Sequence, residues 1–363
     1  MTVLQINYAR YNNSSALRNK HVGFTFRDLK ANARRAALWR WIAARRFFRC
    51  DVVVHVKGAI DAGSIWLDLV AKLWSSRFIA IEHGEGPAPL PTMPDAARKP
   101  IFPLRAQRYW LAKMCSRIRF WTRSVFPDTT ICVSDAARTR RVVHYWFPPS
   151  RTIVVRNGVD SVRFSPNEES RLTVRSNWGI DRRTIAIGTM SRLAPEKGLD
   201  TLLRAFAILR RRAYQVAFKL VIVGEGPMKA DLESLATRLG VREDVRFAGF
   251  SDRPWEHLRG LDLFALPSRS ESLPLALLEA MATGVVPVAF DVGGVREIIT
   301  NVGIGWVIPQ GDTTLFAEAL HAVSSLAIES RRRIGVAARE HVRAHFTEAS
   351  MLDALCERIV GHS

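Results

Sequence analysis

The sequence lacks several features that would assign a protein to a class at once. Its 363 residues include only four cysteines, and none of them forms a C-x-x-C pair or lies near a histidine at zinc-binding spacing. We therefore expect reduced, mostly buried thiols. No apolar run reaches the ~20 residues of a spanning helix, and the first residues do not read as a secretory signal. These absences predict a cytoplasmic protein.

Two motifs of ligand-binding loops are also missing. No D-x-D triplet occurs, so the sequence predicts no carboxylate pair for a divalent metal and no metal cofactor. Gly23 is the only glycine before Gly58, so the first half has no early glycine-rich loop. No repeat of 20–50 residues is present, which excludes solenoids and propellers.

Acidic residues are scarce in the first half. Residues 1–150 carry 25 basic and 9 acidic side chains, a net +16 out of +19 for the whole chain, which indicates an anionic partner for that half. Residues 30–49 and 105–123 mix cationic with aromatic side chains, as helices on an anionic bilayer do. Two amphipathic domain helices with a solvated basic face would give the same pattern. Nucleic acid is not an expected partner, because no recognised motif accompanies the charge.

The rest of the composition is that of a globular protein, with 48% hydrophobic and 24% charged residues and length for two domains. Short apolar runs alternate with helical patterns, which predicts an α/β fold with doubly wound parallel sheets and ligands at the carboxyl ends of the strands. We predict strands at 52–56, 78–81, 130–133, 152–155, 185–188, 219–223, 245–247, 263–266, 286–290 and 306–308. Residues 161–180 are polar and aperiodic, and we interpret them as a linker.

The first chemical signal is a pair of cations after a strand of the second half. Arg192 and Lys197 lie in the segment 188–198, which follows a strand and precedes a helix. Two cations beside the positive pole of a helix are typical of a diphosphate site. Two solvated loop cations are the alternative.

The second signal is a pair of carboxylates. Glu271 follows the strand at 263–266, and Ser272 is the predicted N-cap of a helix with Pro274 in its first turn. Glu279 lies about one and a half turns inside that helix. Carboxylates accept from adjacent hydroxyls, so this pair suits sugar and ribose. An ordinary helix is the alternative, although the apolar neighbours of Glu279 argue against it.

Glycines follow the ends of two other strands, where they let the backbone approach a ligand closely. Gly224 lies in V-G-E-G-P, and Gly293 with Gly294 opens G-G-V-R-E-I-I. Together with S-R-L-x-x-E-K-G and E-x7-E, these motifs resemble the nucleotide-binding half of retaining glycosyltransferases of family 4, a group 1 family with the GT-B fold. The resemblance covers about residues 133–346, including N-G-V-D at 157–160.

The resemblance implies a GT-B architecture, with two Rossmann-like doubly wound domains facing a cleft. Residues 1–165 would form the acceptor-side domain, which lacks the usual glycine-rich first unit. Residues 166–345 would bind the nucleotide sugar, and a C-terminal helix at 346–363 would return to the first domain.

Site residues follow from the same resemblance. Arg192 and Lys197 would hold the donor diphosphate, Glu271 would contact the donor sugar, and Glu279 would bind the ribose. The remaining donor contacts would come from the backbone at Gly224, from groups near Phe250 for the base, and from the amides of Ser272 and Leu273.

His83, in I-E-H-G-E-G after a strand, is similar to the active-site histidine of the family. A structural histidine is the alternative for it. His55 competes for the catalytic role, but its place inside a strand favours the core. With Glu271, Arg192 and Lys197, His83 completes the expected catalytic set.

The implied function is metal-independent, retaining transfer from a UDP- or GDP-sugar to a lipid-linked or envelope polysaccharide acceptor, as in lipopolysaccharide biosynthesis. Fixed cations would stabilise the leaving diphosphate in place of a metal. The enzyme would act in the cytoplasm or on the inner membrane face. One alternative is a catalytically impaired sugar-nucleotide-binding or scaffold protein with an incomplete first domain. Another is an enzyme of the same fold that epimerises or phosphorolyses sugars.

Overall fold

The structure is a computed structural model that describes residues 2–7, 25–30, 50–57, 75–82 and 124–360, with the single residues Lys72, Met114 and Trp121. The chain divides into two units, one of residues 1–156 with 352–363 and one of residues 157–351. The sequence places these borders at 165/166 and 345/346. His83, nearly all of segment 30–49 and most of segment 105–123 lie outside the described residues.

The first unit contains a six-stranded sheet in the order β2-β1-β3-β4-β5-β6, with all paired strands parallel. The strands are β1 (Thr2–Asn7), β2 (Thr25–Lys30), β3 (Cys50–Lys57), β4 (Ser75–Glu82), β5 (Thr129–Cys132) and β6 (Thr152–Val154), and helix α1 (Asp135–Tyr145) follows β5. All four strands predicted for this half are therefore confirmed.

Strands β1 and β2 are additions to the prediction. β1 lies inside the sheet, with Val3 opposite Phe26 of β2 and opposite Val52 of β3. Its sequence, T-V-L-Q-I-N, has no apolar run longer than two residues and does not alternate strictly, so it lacks the continuous apolar run that predicts the other strands. The first unit thus has a strand ahead of the one expected to open it.

A buried ion pair holds the end of β4, one residue before His83. Arg141 of α1 donates from Nη2 to Oε2 of Glu82 at 2.9 Å, and both side chains are 2% exposed. Cys132 lies opposite Glu82 in the sheet, and burial raises the pKa of its thiol to about 11. This free cysteine is therefore a packing residue rather than a nucleophile.

The second unit contains a six-stranded parallel sheet in the order β12-β11-β10-β7-β8-β9. Its strands are β7 (Ile185–Met190), β8 (Phe218–Val223), β9 (Val245–Gly249), β10 (Leu263–Leu266), β11 (Val286–Phe290) and β12 (Trp306–Ile308). Its helices are α2 (Glu168–Asn177), α3 (Leu199–Arg212), α4 (Lys229–Arg238), α5 (Pro254–Gly260), α6 (Leu275–Ala282), α7 (Val295–Ile298), α8 (Thr313–Ser325) and α9 (Ile328–His345). Every residue of β7, β10 and β11 is buried, because helices cover both faces of a doubly wound sheet.

The strand order places a crevice between β7 and β10. From β7 the chain winds outward through β8 to β9, then returns to β10 on the other side of β7 and continues to β12. In such sheets ligands bind outside the carboxyl ends of the strands where the winding direction reverses. The loops that follow β7 and β10 are the ones that carry Lys197 and Glu271.

The interpretation of residues 161–180 as a linker is wrong, because half of this segment, residues 168–177, is helix α2 of the second unit. Asn167 caps the helix and accepts from the Ser170 N–H at 2.8 Å. Arg171 and Arg175, one turn apart, both donate to Asp262, at 2.6 and 3.0 Å. Arginine–carboxylate contacts attach this helix to the rest of the second unit more than an apolar face does, which explains its polar sequence.

Helix α10 (Glu348–Val360) ends the described chain. It begins in the second unit, and its residues from Leu352 onward belong to the first. No helix in the described part of the chain is long and apolar enough to cross a membrane.

Candidate functional site

The centre of the candidate site is an ion pair at the crevice between β7 and β10. Nζ of Lys197 donates to Oε1 of Glu271 at 2.7 Å, and the side chains are 24% and 11% exposed. The hydroxyl of Ser268, which is buried, donates to the same Oε1 at 2.7 Å. Both contacts fall on Oε1, which leaves Oε2 of Glu271 for a ligand hydroxyl.

The two loops that carry this pair touch through their backbones. Gly198 has a φ of +62°, and a Cβ at this position would lie 2.0 Å from the carbonyl oxygen of Pro267. The N–H of Arg269 donates to the carbonyl of Glu196 at 2.8 Å. The spacing between Lys197 and Glu271 is therefore set by backbone contacts as well as by their own ion pair.

Arg192, the second predicted phosphate ligand, does not join this cluster. Its guanidinium pairs with Glu196 four residues later, and its side chain is 57% exposed. An exposed i,i+4 pair contributes little free energy, so Arg192 can exchange this partner for a phosphate at small cost.

The prediction that Ser272 caps the following helix is wrong. Helix α6 begins at Leu275, and its N-cap is Pro274, which makes no side-chain capping bond. A residue before proline is restricted to extended backbone, so Leu273 cannot open the helix and the start moves past Pro274. Ser272 and Leu273 instead lie in the loop above the sheet.

This loop leaves hydrogen-bond donors unused. The carbonyl of Ser272 accepts from the Gly294 N–H, and the carbonyl of Leu273 accepts from Nδ2 of Asn157 at 3.2 Å. Among the described residues, neither backbone N–H of Ser272 and Leu273 has a partner, and the buried hydroxyl of Ser272 has none either. Buried polar groups without partners are costly, so the loop is suited to an oxygen-rich ligand.

Glu279 lies on α6 and is partly buried. Burial raises the pKa of its carboxyl to about 7. No hydrogen bond or ion pair satisfies this carboxyl among the residues that the structure describes. A ligand that donates two hydroxyls would supply the missing partners and favour the ionised form.

Two further predicted residues lie at the edge of the same sheet. Gly224 follows β8 with a φ of +136°, and a Cβ there would lie 1.9 Å from the carbonyl oxygen of Ser191. Its N–H donates to the carbonyl of Gly249, the last residue of β9, at 2.7 Å. Phe250 comes next and is 73% exposed, which is unusual for a phenylalanine and leaves its ring free to contact a ligand.

Sequence reasoning missed two residues that position the site. Ser268 holds Glu271, and Asn157 holds the Leu273 loop. Ser268 could have been predicted from the sequence, because it lies between the end of a strand and Glu271. Asn157 belongs to the N-G-V-D motif, but its contact spans 116 residues and could not be read from local pattern. Within the described ranges there is no group of three or more His, Cys, Asp or Glu side chains that could hold a metal.

Comparison with known proteins identifies the family. Residues 170–341 match the family described as "Glycosyl transferases group 1", and residues 8–163 match "Glycosyltransferase Family 4". The chain belongs to the group 1 glycosyltransferases. Anabaena Alr3699/HepE in complex with UDP-glucose superimposes with a TM-score of 0.76 at 17% identity, over 99% of each chain. The predicted fold, GT-B with two Rossmann-like domains, is thereby confirmed.

Two relatives share more of the sequence. A GDP-mannose-dependent alpha-(1-6)-phosphatidylinositol monomannoside mannosyltransferase of Mycolicibacterium smegmatis is 37% identical over 230 residues, which cover 60% of this chain and 58% of that protein. A D-inositol 3-phosphate glycosyltransferase of Saccharomonospora viridis is 33% identical over 240 residues, which cover 63% of this chain and 54% of that protein. The alignments therefore span less than two thirds of either relative.

Proposed function

We propose that the protein transfers a sugar from a nucleotide-diphospho donor, a UDP- or GDP-sugar, to a glycan or glycolipid acceptor. The observation that carries this proposal is the contact of Lys197 with Glu271 at the crevice between β7 and β10. A cation for phosphate and a carboxylate for sugar hydroxyls lie within 2.7 Å of each other. Unused N–H groups at Ser272 and Leu273 add donors for oxyanions beside them.

Lys197 stabilises the leaving group. An ammonium has three donors, so Lys197 can keep its bond to Glu271 while it binds a phosphate oxygen. Negative charge grows on the diphosphate as the glycosidic bond breaks, and a fixed cation stabilises that charge without reorganisation. With Arg192 released from Glu196, two cations face the diphosphate, and we propose that they take the place of a metal.

Glu271 and Glu279 orient the donor. Oε2 of Glu271 accepts from a hydroxyl of the transferred sugar while Oε1 stays on Lys197 and Ser268. Glu279 accepts from the ribose hydroxyls, and the backbone at Gly224 and Phe250 meets the base. His83, which follows Glu82 and its buried ion pair, is proposed to face the donor sugar.

We further propose that transfer retains the anomeric configuration. The support is the family resemblance and the name of the mannosyltransferase relative, which specifies an alpha product. With an alpha-linked donor, an alpha product means retention. Among the described residues of the proposed site, no pair of carboxylates is arranged on opposite faces of the sugar as in glycosidases.

We place the acceptor at the inner face of a membrane, as a lipid-linked or envelope polysaccharide. The support is the net charge of +16 on residues 1–150, which favours an anionic surface. The scaffold alternative assumes an incomplete first domain. Strand β1, which lies inside the first sheet, favours the transferase.

The test is transfer of a radiolabelled sugar to a lipid extract in excess EDTA, with the product anomer read by NMR. We expect turnover without metal, an unchanged anomer, and a loss of about 100- to 1,000-fold or more in Glu271→Ala. Glu243→Ala, an exposed carboxylate before β9, is the matched control and should keep its rate. Strict dependence on Mg²⁺ refutes the metal-free mechanism, an inverted product refutes retention, and a normal rate in Glu271→Ala refutes the site.

A further inference from the structure

An unused carboxylate lies beside the proposed base site. Glu225 follows Gly224 at the end of β8, and its side chain is exposed. Its Oε1 is 3.9 Å from the position that a Cβ on Gly249 would take, so the carboxylate lies over the end of β9. Within the described residues it has neither a hydrogen-bond partner nor an ion-pair partner.

The backbone on both sides of this carboxylate is anchored. The carbonyl of Glu225 accepts from the Leu193 N–H at 2.9 Å, and the N–H of Gly224 donates to Gly249 at 2.7 Å. Val223 and Gly249 are neighbours in the sheet, although the register shifts there. Glu225 is thus held between the loop after β7 and the end of β9.

An aromatic ring follows directly. Phe250 is the next residue after Gly249 and is 73% exposed. Exposed rings at nucleotide sites stack on bases and do so with every base, since each has a π-face. The carboxylate, unlike the ring, can accept hydrogen bonds but cannot donate them when ionised.

We propose that Glu225 selects guanine over the other bases, so that the donor is a GDP-sugar. This rests on the proposed function and names the base that the same site takes. Guanine presents two neighbouring donors, N1–H and the 2-amino group, and a carboxylate accepts from both. Uracil presents one N–H between two carbonyl oxygens, which would face the carboxylate with like charge. Adenine offers one donor beside an acceptor nitrogen.

The charge balance of the site supports this assignment. A carboxylate at the edge of a site for a diphosphate repels the ligand unless it gains donors in exchange. Lys197 is already engaged with Glu271, and Arg192 with Glu196, so no described cation neutralises Glu225. Two donors on the base supply that compensation.

The experiment measures the binding of GDP, IDP and UDP in EDTA by titration calorimetry. IDP lacks only the 2-amino group of guanine. We expect the protein to bind GDP about 5- to 150-fold more tightly than UDP, the range for a bidentate base contact, and about tenfold more tightly than IDP. Glu225→Gln should remove the preference for GDP over IDP, because an amide presents an oxygen and an NH2 group.

Three variants separate the roles. Glu243→Gln makes the same change in the turn that precedes β9, at the end of the strand away from Phe250. It should leave all three affinities unchanged. Phe250→Ala should weaken GDP and IDP alike and keep their ratio. Asp252→Asn tests the other carboxylate near the ring, and if it removes the preference while Glu225→Gln does not, the assignment to Glu225 is wrong.

The pattern of nucleotide binding distinguishes failure of the base assignment from failure of the proposed function. Tight binding of UDP with equal or weaker binding of GDP overturns the base assignment and leaves the donor site standing. Absence of binding by all three nucleotides overturns the proposed function and the base assignment with it.

Discussion

Glu279 carries a proton about half of the time near pH 7, because burial raises the pKa of its carboxyl to about 7 from an ordinary 4.5. Between these two values the folded chain binds more protons at this group than the unfolded chain does. The contribution of Glu279 to stability therefore falls as the pH rises through this window, by at most about 3 kcal/mol.

The substitution Glu279→Gln removes this dependence. As the pH rises from 5 to 8, the free energy of unfolding measured in urea should fall more for the unmodified protein than for Glu279→Gln. Glu297→Gln, also in the second unit, is the control for a general effect of lost charge. A difference that stays constant across the pH range would show that the carboxyl is not held in its neutral form.

Nucleotide binding should release this proton. Ribose hydroxyls donate to the ionised carboxylate, so binding lowers the pKa of Glu279. Calorimetry of GDP at pH 7, in buffers of different ionisation enthalpy, should show release of up to about half a proton beyond that of Glu279→Gln. Equal proton release by the two proteins would mean that Glu279 does not contact the ribose.

The sequence predicts Lys197 and Glu271 as candidate site residues, because each follows an apolar strand and precedes a helix. Their direct contact followed only from the strand order that places β7 beside β10. The prediction that Ser272 caps α6 is wrong because Pro274 delays the start of the helix. Local patterns therefore proposed candidate residues, and tertiary structure decided what each one touches.

At the scale of elements, apolar runs predicted the strands of the second sheet well and the polar elements poorly. Helix α2 has an N-cap at Asn167 and acidic residues in its first turn, both of which are start signals. Its packing depends on Arg171 and Arg175 reaching Asp262, a contact across about 90 residues. No hydrophobic period could reveal that contact.

The contact between the β7 and β10 loops leads to a prediction about two glycines. Gly198 and Gly240 both have a positive φ, +62° and +71°, so alanine costs about 1–2 kcal/mol of stability at either position. Only at Gly198 does the new Cβ meet a backbone carbonyl, that of Pro267.

Thermal unfolding should therefore show a larger loss for Gly198→Ala than for Gly240→Ala. Gly198→Ala should also weaken nucleotide binding, because Lys197 and Glu271 move apart. Equal losses in the two variants, with unchanged nucleotide affinity, would contradict the view that this contact sets the geometry of the site.

On the scale of the whole molecule, net charge distinguishes the first half of the chain from the second. Of the net +19, residues 1–150 hold +16. This property is a count of residues and needs no structure. It supports a membrane-facing role for the first half, whereas the nucleotide chemistry is proposed for the second.

Binding to lipid vesicles tests that role. The protein should sediment with vesicles that contain anionic lipid and not with neutral vesicles, and binding should weaken as salt rises. Replacing Arg45 and Arg46 by glutamine should weaken binding by about 10- to 30-fold, at about 1 kcal/mol per cation. The same change at Arg332 and Arg333, which are exposed on α9, is the control. Equal binding to neutral vesicles would exclude an electrostatic membrane contact.

The central claim is that Lys197 holds a nucleotide diphosphate without a metal. Titration calorimetry of GDP and UDP in EDTA tests it directly, with Lys197→Ala and, as a control, Lys229→Ala at the exposed start of α4. We predict binding by the unmodified protein, an unchanged affinity in Lys229→Ala, and a loss of about 10- to 150-fold in Lys197→Ala. Binding that requires a divalent metal, or that survives Lys197→Ala intact, would contradict the account.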